Sequence, residues 1–363
     1  MESPLEAHIR KVNSERKAAG IQRSLRLYEG SDFASNDYLG LAKQGTPISE
    51  ESASGGSRLI TGNSALAEQT EAQIADYFRV ESALVFQSGY AANLGVISAL
   101  ANRDLTVLYD ELCHASIRDG IRLGVAKNWS FEHNNMLDLE KKLERTTGRV
   151  LIITESVFSM DGDEAPLTDL LRLKKRFGAS LLLDEAHAAG WKKDGLALAE
   201  EVGFAGDIDL RIITFGKAFG AHGAAVLCSD VYKQYFINHA RSFIYTTAPS
   251  TSFWERISWS LDMAKSAAAA RESLKANILL FSSLAEGSPL NFLQSSSPIQ
   301  GVLGDTKQLQ LWSEKAAEAG MIVRPILHPT VPEGSERLRI CLHSFNQKED
   351  IQKLIKLLHE HQV

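Results

Sequence analysis

The stretch Ile212-Ile213-Thr214-Phe215-Gly216-Lys217-Ala218-Phe219-Gly220-Ala221-His222-Gly223 decides how this chain reads. Two β-branched apolar residues lead into Thr214, the signature of a buried strand. Gly216 and Gly220 then flank a sharp turn that presents one lysine. Lysine is rarely buried without a partner, and its small neighbours leave room for a planar ligand against the backbone. Two readings follow. Lys217 is a Schiff-base lysine, with Thr214 as a hydroxyl donor to a phosphate, or it is a surface lysine at a strand end. A P-loop does not fit, because Leu210 or Arg211 stands where glycine is required and Ala218 where Ser or Thr is required.

Outward from this turn, apolar runs alternate with helical patterns. Helices are expected over 65–78, 117–124, 136–145 and 166–176. Strands are expected over 83–86, 106–109, 150–154, 179–183, 211–214 and 223–228. This alternation argues for an α/β fold with a doubly wound, mostly parallel sheet. Polar groups follow the strands: Ser88-Gly89, His114, Ser159, Asp184, His187 and Lys217. Such sheets bind ligands at that edge. The Ser88-Gly89-Tyr90 turn opens a helix, whose free N–H groups suit a phosphate.

Beyond residue 235 the pattern becomes α+β. The segment 243–249 reads as extended, a long helix over 252–284 is broken once, and strands follow at 299–303, 322–323 and 337–342. Helices close the region at 307–319 and 349–361. The expected division is an N-terminal helix and substrate-lining segment (1–45), a large cofactor-binding domain (46–235) and a small C-terminal domain (236–363). More than one core is in keeping with 363 residues. The N-terminal helix is read over 4–19. The basic patch Arg23 and Arg26 is either a solvated surface or a carboxylate-binding site.

Composition excludes other classes. The chain is 44% hydrophobic and 23% charged with a net charge of −6, which gives no reason to expect nucleic acid. Cys113, Cys228 and Cys341 lie far apart, against a disulfide framework or zinc site and for a reducing compartment. His359 and His361 do not share a helix face, so no metal is expected. The charged start lacks a signal-type apolar core, and no run is long enough to span a bilayer. A cytoplasmic enzyme is the expectation, with no nucleic acid or membrane partner.

Pyridoxal phosphate (PLP) needs a lysine for its aldehyde, an anion at the pyridine nitrogen, a flat side chain over the ring and a phosphate cup. Lys217, Asp184, His114, and the 88–90 turn with Thr214 supply them. His187, three residues after Asp184, suits the ring hydroxyl. At these residues the chain resembles the α-oxoamine synthases, PLP enzymes of the aspartate-aminotransferase fold (fold type I). The motifs SNDYLGL (35–41), SGGSRLITGNSAL (54–66), SGYAAN (88–93), DELCHAS (110–116), ESVFSMDGD (155–163), DEAHAAG (184–190) and TFGKAFG (214–220) occur in family order.

The resemblance implies that Lys217 carries the cofactor and, once free, removes an α-proton. It implies that Asp184 pairs with the ring nitrogen, His114 stacks on the ring and meets substrate, and Ser159 and His187 approach the ring hydroxyl. Gly89, Tyr90 and Thr214 would hold the phosphate or its loop, and Glu155 would help the acyl chemistry. Asn36, Thr330 and Arg339 would line the substrate side, Arg339 taking a carboxylate. The family is homodimeric with shared sites, and Thr247 and the 54–58 loop are candidates to reach across to the cofactor. Features near 223–229, 243–249 and 329–342 resemble the subgroup that condenses L-alanine with a pimeloyl thioester, on coenzyme A or an acyl carrier protein, in biotin synthesis. The alternatives are a sibling synthase using another acid or acyl group, and a non-catalytic, partner-binding member of the fold. Trp191-Lys192-Lys193 replaces a glycine-rich stretch of the family, and Arg23 is the residue expected to meet the acyl carboxylate.

Overall fold

The computed structural model describes residues 30–42, 44–45 and 54–362, together with Lys11, Ser14, Glu15, Lys17 and Ala18. Those five residues are helical. The rest of the expected helix 4–19, and Arg23 and Arg26, lie outside the described residues.

Seven strands form the main sheet: β2 (Ser82–Phe86), β3 (Leu105–Asp110), β4 (Lys127–Phe131), β5 (Arg149–Glu155), β6 (Ser180–Asp184), β7 (Leu210–Thr214) and β8 (Ala224–Cys228). Their spatial order is β2-β8-β7-β6-β5-β3-β4. The run from β7 to β4 is parallel, and β8 is antiparallel to both its neighbours. The fold is therefore α/β with a mostly parallel sheet, as the alternation implied.

Side-chain alternation sends residues of each strand to two cores. Leu182, Ile212 and Val226 pack with Val96, Ile97 and Ile117 of helices Gly89–Leu100 and Ala115–Leu123. Leu181, Leu183 and Ile213 face the other way, toward Ile74, Leu139, Leu170 and Trp254. Burial on both faces is why these strands read as continuous apolar runs.

A second sheet holds β9 (Ile299–Leu303), β11 (Arg324–Ile326) and β12 (Arg337–Cys341) in the antiparallel order β11-β12-β9. A parallel pair, β1 (Ser31–Asp32) with β10 (Met321–Ile322), brings the N-terminal segment beside it. Phe33 O accepts from Cys341 N at 2.8 Å and Tyr38 O from Ser344 N at 2.8 Å, so residues 31–41 run along the small sheet. The division expected after residue 235 falls inside helix Asp230–His239. Helix Thr251–Ser266 packs on helix Ala65–Tyr77 of the large sheet's layer. The long helix breaks once, at Ala267, as read.

The segment 243–249 was read as extended, and here the structure differs. Phe243 and Ile244 close a helical turn, Arg241–Ile244. Phe243 is buried against Phe86, and this packing overrides the extended preference of its β-rich sequence. No described helix is long and apolar enough to cross a membrane.

Candidate active site

The strand ends at the carboxyl edge of the main sheet bring the predicted residues together. Glu155 ends β5, Asp184 ends β6, and the two are paired in register. Thr214 ends β7, three residues before Lys217. Gly89, Tyr90, Asn93, His114, Ser116, Glu155, Asp184, Ala186, His187, Thr214 and Lys217 line one cavity of about 550 Å³, its mouth included.

Charge in this cavity is set by burial and close neighbours. Burial lowers the Lys217 amine and Arg339 adds to this, against Asp184 and Glu155, and the balance is about 8. Burial and the adjacent Asp184 carboxylate push Glu155 up to about 8. Burial, with Lys217 next, holds His187 well below its ordinary value. His114 is lowered by burial, with Asp184 opposing.

Hydrogen bonds fix the geometry. Asp184 accepts from Ala186 N at 2.9 Å and from Asn93 Nδ2 at 2.7 Å. His114 caps its helix, and its backbone N–H donates to Glu155 Oε1 at 2.5 Å. Tyr38, fully buried, donates to Asn36 Oδ1 at 3.1 Å, and its oxygen lies 2.9 Å from His187 Nδ1. The phenol oxygen thus accepts from Nδ1–H, which leaves His187 Nε2 as an acceptor. Trp191 Nε1 donates to His187 O at 2.7 Å, so the departure at 191–193 anchors the turn behind this histidine. Lys192 is buried between Glu164 and Glu201.

Not every candidate reaches the cavity wall. Arg339 Nε donates to Ser159 O at 2.6 Å and its NH2 group to Asn36 Oδ1 at 3.0 Å. Asn36, Ser159 and Arg339 therefore form an adjoining cluster tied to the cavity through Tyr38. Ser159 joins it by its carbonyl. Thr330 lies on an exposed turn and Thr247 is exposed, its carbonyl accepting from Gln87 Nε2 at 2.6 Å; neither is among the lining residues. Tyr90 donates to Asp119. Thr214 Oγ1 gives its proton to Gly223 O at 3.1 Å and accepts from Gly216 N at 3.2 Å, so its hydroxyl serves the lysine turn itself. Arg58 of the glycine-rich loop turns inward to Glu71. Gly220, at φ +60°, packs on backbone: a Cβ there would meet Ala42 N at 2.3 Å.

Sequence reasoning missed Tyr38, Asn93 and Ser116 as site residues. All three lie inside the motifs quoted above, but nothing in a helix-borne asparagine or a post-histidine serine signals burial beside an aspartate.

The aminotransferase class I and II family profile matches residues 29–358. The chain belongs to that family. It is 38% identical over 361 residues to the 8-amino-7-oxononanoate synthase of Lysinibacillus sphaericus, covering 93% of each chain. It is 37% identical to that of Geotalea daltonii, covering 94% of each. A Sphingomonas wittichii serine palmitoyltransferase structure superposes with a TM-score of 0.91 at 26% identity, covering 99% of this chain and 98% of that one. An 8-amino-7-oxononanoate synthase structure from Francisella tularensis gives 0.77 at 27%, covering 91% and 97%. Another serine palmitoyltransferase structure, with a TM-score of 0.90 at 25% identity over 99% and 98%, contains PLP. The expectation drawn from the motifs stands, since the curated relatives carry the name of a member of the expected family.

Proposed function

We propose that this chain is a PLP-dependent acyltransferase that condenses L-alanine with a pimeloyl thioester, on coenzyme A or a carrier protein, releasing 8-amino-7-oxononanoate, carbon dioxide and free thiol. It would act in the cytoplasm, in biotin synthesis, as a homodimer. The observation that carries the reading is the single cavity that unites Lys217, Asp184, His114 and His187.

The residues present fit the cofactor. Ser88 Oγ accepts from Ala91 N at 3.1 Å, which leaves the N–H groups of Gly89 and Tyr90 as first-turn donors for a phosphate. Asp184, an acceptor-only carboxylate, would hold the ring nitrogen, His114 would cover a ring face, and His187 Nε2 would meet the ring hydroxyl. When bound, PLP withdraws electrons from the α-carbon of the amino acid. Lys217, whose amine burial lowers, would remove the α-proton and return one after carbon dioxide leaves. The Arg339 guanidinium, oriented by Ser159 and Asn36, offers its remaining N–H groups to the alanine carboxylate. Glu155 carries its proton near neutrality and keeps a second negative charge away from Asp184.

The sibling reading draws on the high structural likeness to serine palmitoyltransferase, and one assay separates the two. Alanine, glycine and serine are each paired with short, pimeloyl and long-chain thioesters. Alanine with the pimeloyl thioester should turn over best, and Lys217→Ala should lower that rate by about 10²- to 10⁴-fold. Absence of product from that pair would overturn the assignment, and preference for serine with a long-chain thioester would replace it with the sibling activity.

A further inference from the structure

Asn93 lies on helix Gly89–Leu100 with 2% of its surface exposed. Its Nδ2 donates to Asp184 Oδ2 at 2.7 Å and to Ser116 Oγ at 3.0 Å. Ser116 Oγ lies 2.7 Å from His114 Nδ1, and Ser116 N donates to the same nitrogen at 3.2 Å. From these contacts we infer that Asn93 is a positioning residue, the link of a relay Asp184–Asn93–Ser116–His114 that orients both the aspartate and the histidine.

The donor count forces the direction. Asp184 can only accept, so the amide must turn its NH2 group toward it. Ser116 Oγ accepts from that same group, and its one proton goes to His114 Nδ1. Two donors then point at Nδ1, so it cannot carry a proton, and the proton of the neutral ring sits on Nε2. This orientation leaves Asn93 Oδ1 buried with no hydrogen-bond partner among the described residues. A packing asparagine would shed that cost; one held by an acceptor-only neighbour cannot. The chain thus couples the group beneath the ring nitrogen to the imidazole over the ring. The inference rests on the proposed PLP site and adds the residue that organises it.

The test uses full-length chain stripped of PLP and titrated back with it, alongside ¹⁵N spectra of the His114 ring. Asn93→Ala should weaken PLP binding by about tenfold to a hundredfold, the range in which outer partners of a ligand act. Asn93→Asp keeps the shape but sets a carboxylate against Asp184, and should weaken it further. A role in packing alone predicts the reverse order. Ser116→Ala cuts the relay beyond Asp184, so it should weaken PLP binding less than Asn93→Ala does, while the His114 Nδ1 signal shifts as it loses the shorter of its two hydrogen bonds. Asn93→Asp binding PLP as tightly as wild type, or an unchanged His114 signal in both Asn93→Ala and Ser116→Ala, would overturn the inference. If the wild type takes up no PLP, the proposed function falls instead, and the His114 signal of the PLP-free chain still decides the relay.

Discussion

Two carboxylates on neighbouring strands, Glu155 and Asp184, face one lysine, and their sharing of charge sets when that lysine becomes a nucleophile. Glu155 gains its charge as the pH passes about 8, and once charged it holds the proton on Lys217. Glu155→Gln removes that support. Lys217 should then lose its proton at lower pH, by about one unit or less. The check is the pH dependence of PLP capture by the stripped protein, since only the free amine attacks the aldehyde. The wild-type midpoint should lie near 8 and that of the variant below it; an equal or higher midpoint contradicts the coupling. At this scale the sequence was a good guide to groups that follow apolar strands, because Lys217, Asp184 and His114 stand out at the ends of recognisable runs. It was a poor guide to groups whose role comes from what they touch. Asn93 and Tyr38 act through partners 91 and 149 residues away, and no local pattern records that. Thr214 was legible as a strand-end hydroxyl, but its bond to Gly223 across the turn was not.

The loop after β5 is the element on which the two sheets meet. Ser159 O orients Arg339, Asp161 pairs with Arg337, and Asp163 accepts from His133 Nε2 at 2.8 Å. The other ring nitrogen of His133 lies 3.0 Å from Asp110 Oδ1. Both nitrogens face carboxylates, so both donate, and only an imidazolium can do so. Burial opposes its charge, yet the bonds to Asp110 and Asp163 push His133 up to about 10. A raised folded value means that this stabilisation is complete below the unfolded value near 6.5 and is lost as the pH climbs through about 10. The gap in unfolding temperature between wild type and His133→Asn should therefore be widest at about pH 6 and close above about pH 10. A gap that stays constant would show that the ring acts by packing alone. The KM for the amino acid should also rise in the variant as Arg339 loses its support. Elements were legible where burial left a plain pattern. The apolar runs of β6 and β7 announced themselves, whereas β4 (KNWSF) is an edge strand with a largely exposed, mixed composition. Strand β11 carries Pro325, which argues against a strand when read alone and is tolerated because it lies at a sheet edge.

On the scale of the molecule, the strap 31–41 and the small sheet lie beside the cavity, joined to it through the contact of Tyr38 with His187. The NH2 group of Arg256 donates to Leu41 O at 2.6 Å and Gly220 O at 2.9 Å, tying the strap to the lysine turn. The other rim is built differently. Ser54 Oγ donates to Ala248 O at 2.7 Å and Ala248 N to Gly56 O at 2.8 Å, so the glycine-rich loop and the segment after Ile244 form one surface. That surface leaves Leu59 51%, Ile60 80% and Tyr245 71% exposed. Its neighbour Thr247 is bonded through its carbonyl to Gln87, at the mouth of the phosphate turn. The homodimer proposed above would cover these apolar groups with a second copy of the chain. Ile60→Asp sets a charge on this surface at a residue that does not line the cavity. Sedimentation should show a dimer for the wild type and a shift toward monomer for the variant. PLP retention after dialysis should fall with it, since the rim beside the phosphate turn loses its cover. A wild type that sediments as a monomer while keeping PLP and turnover would place the complete site within one chain and remove the role given to this rim.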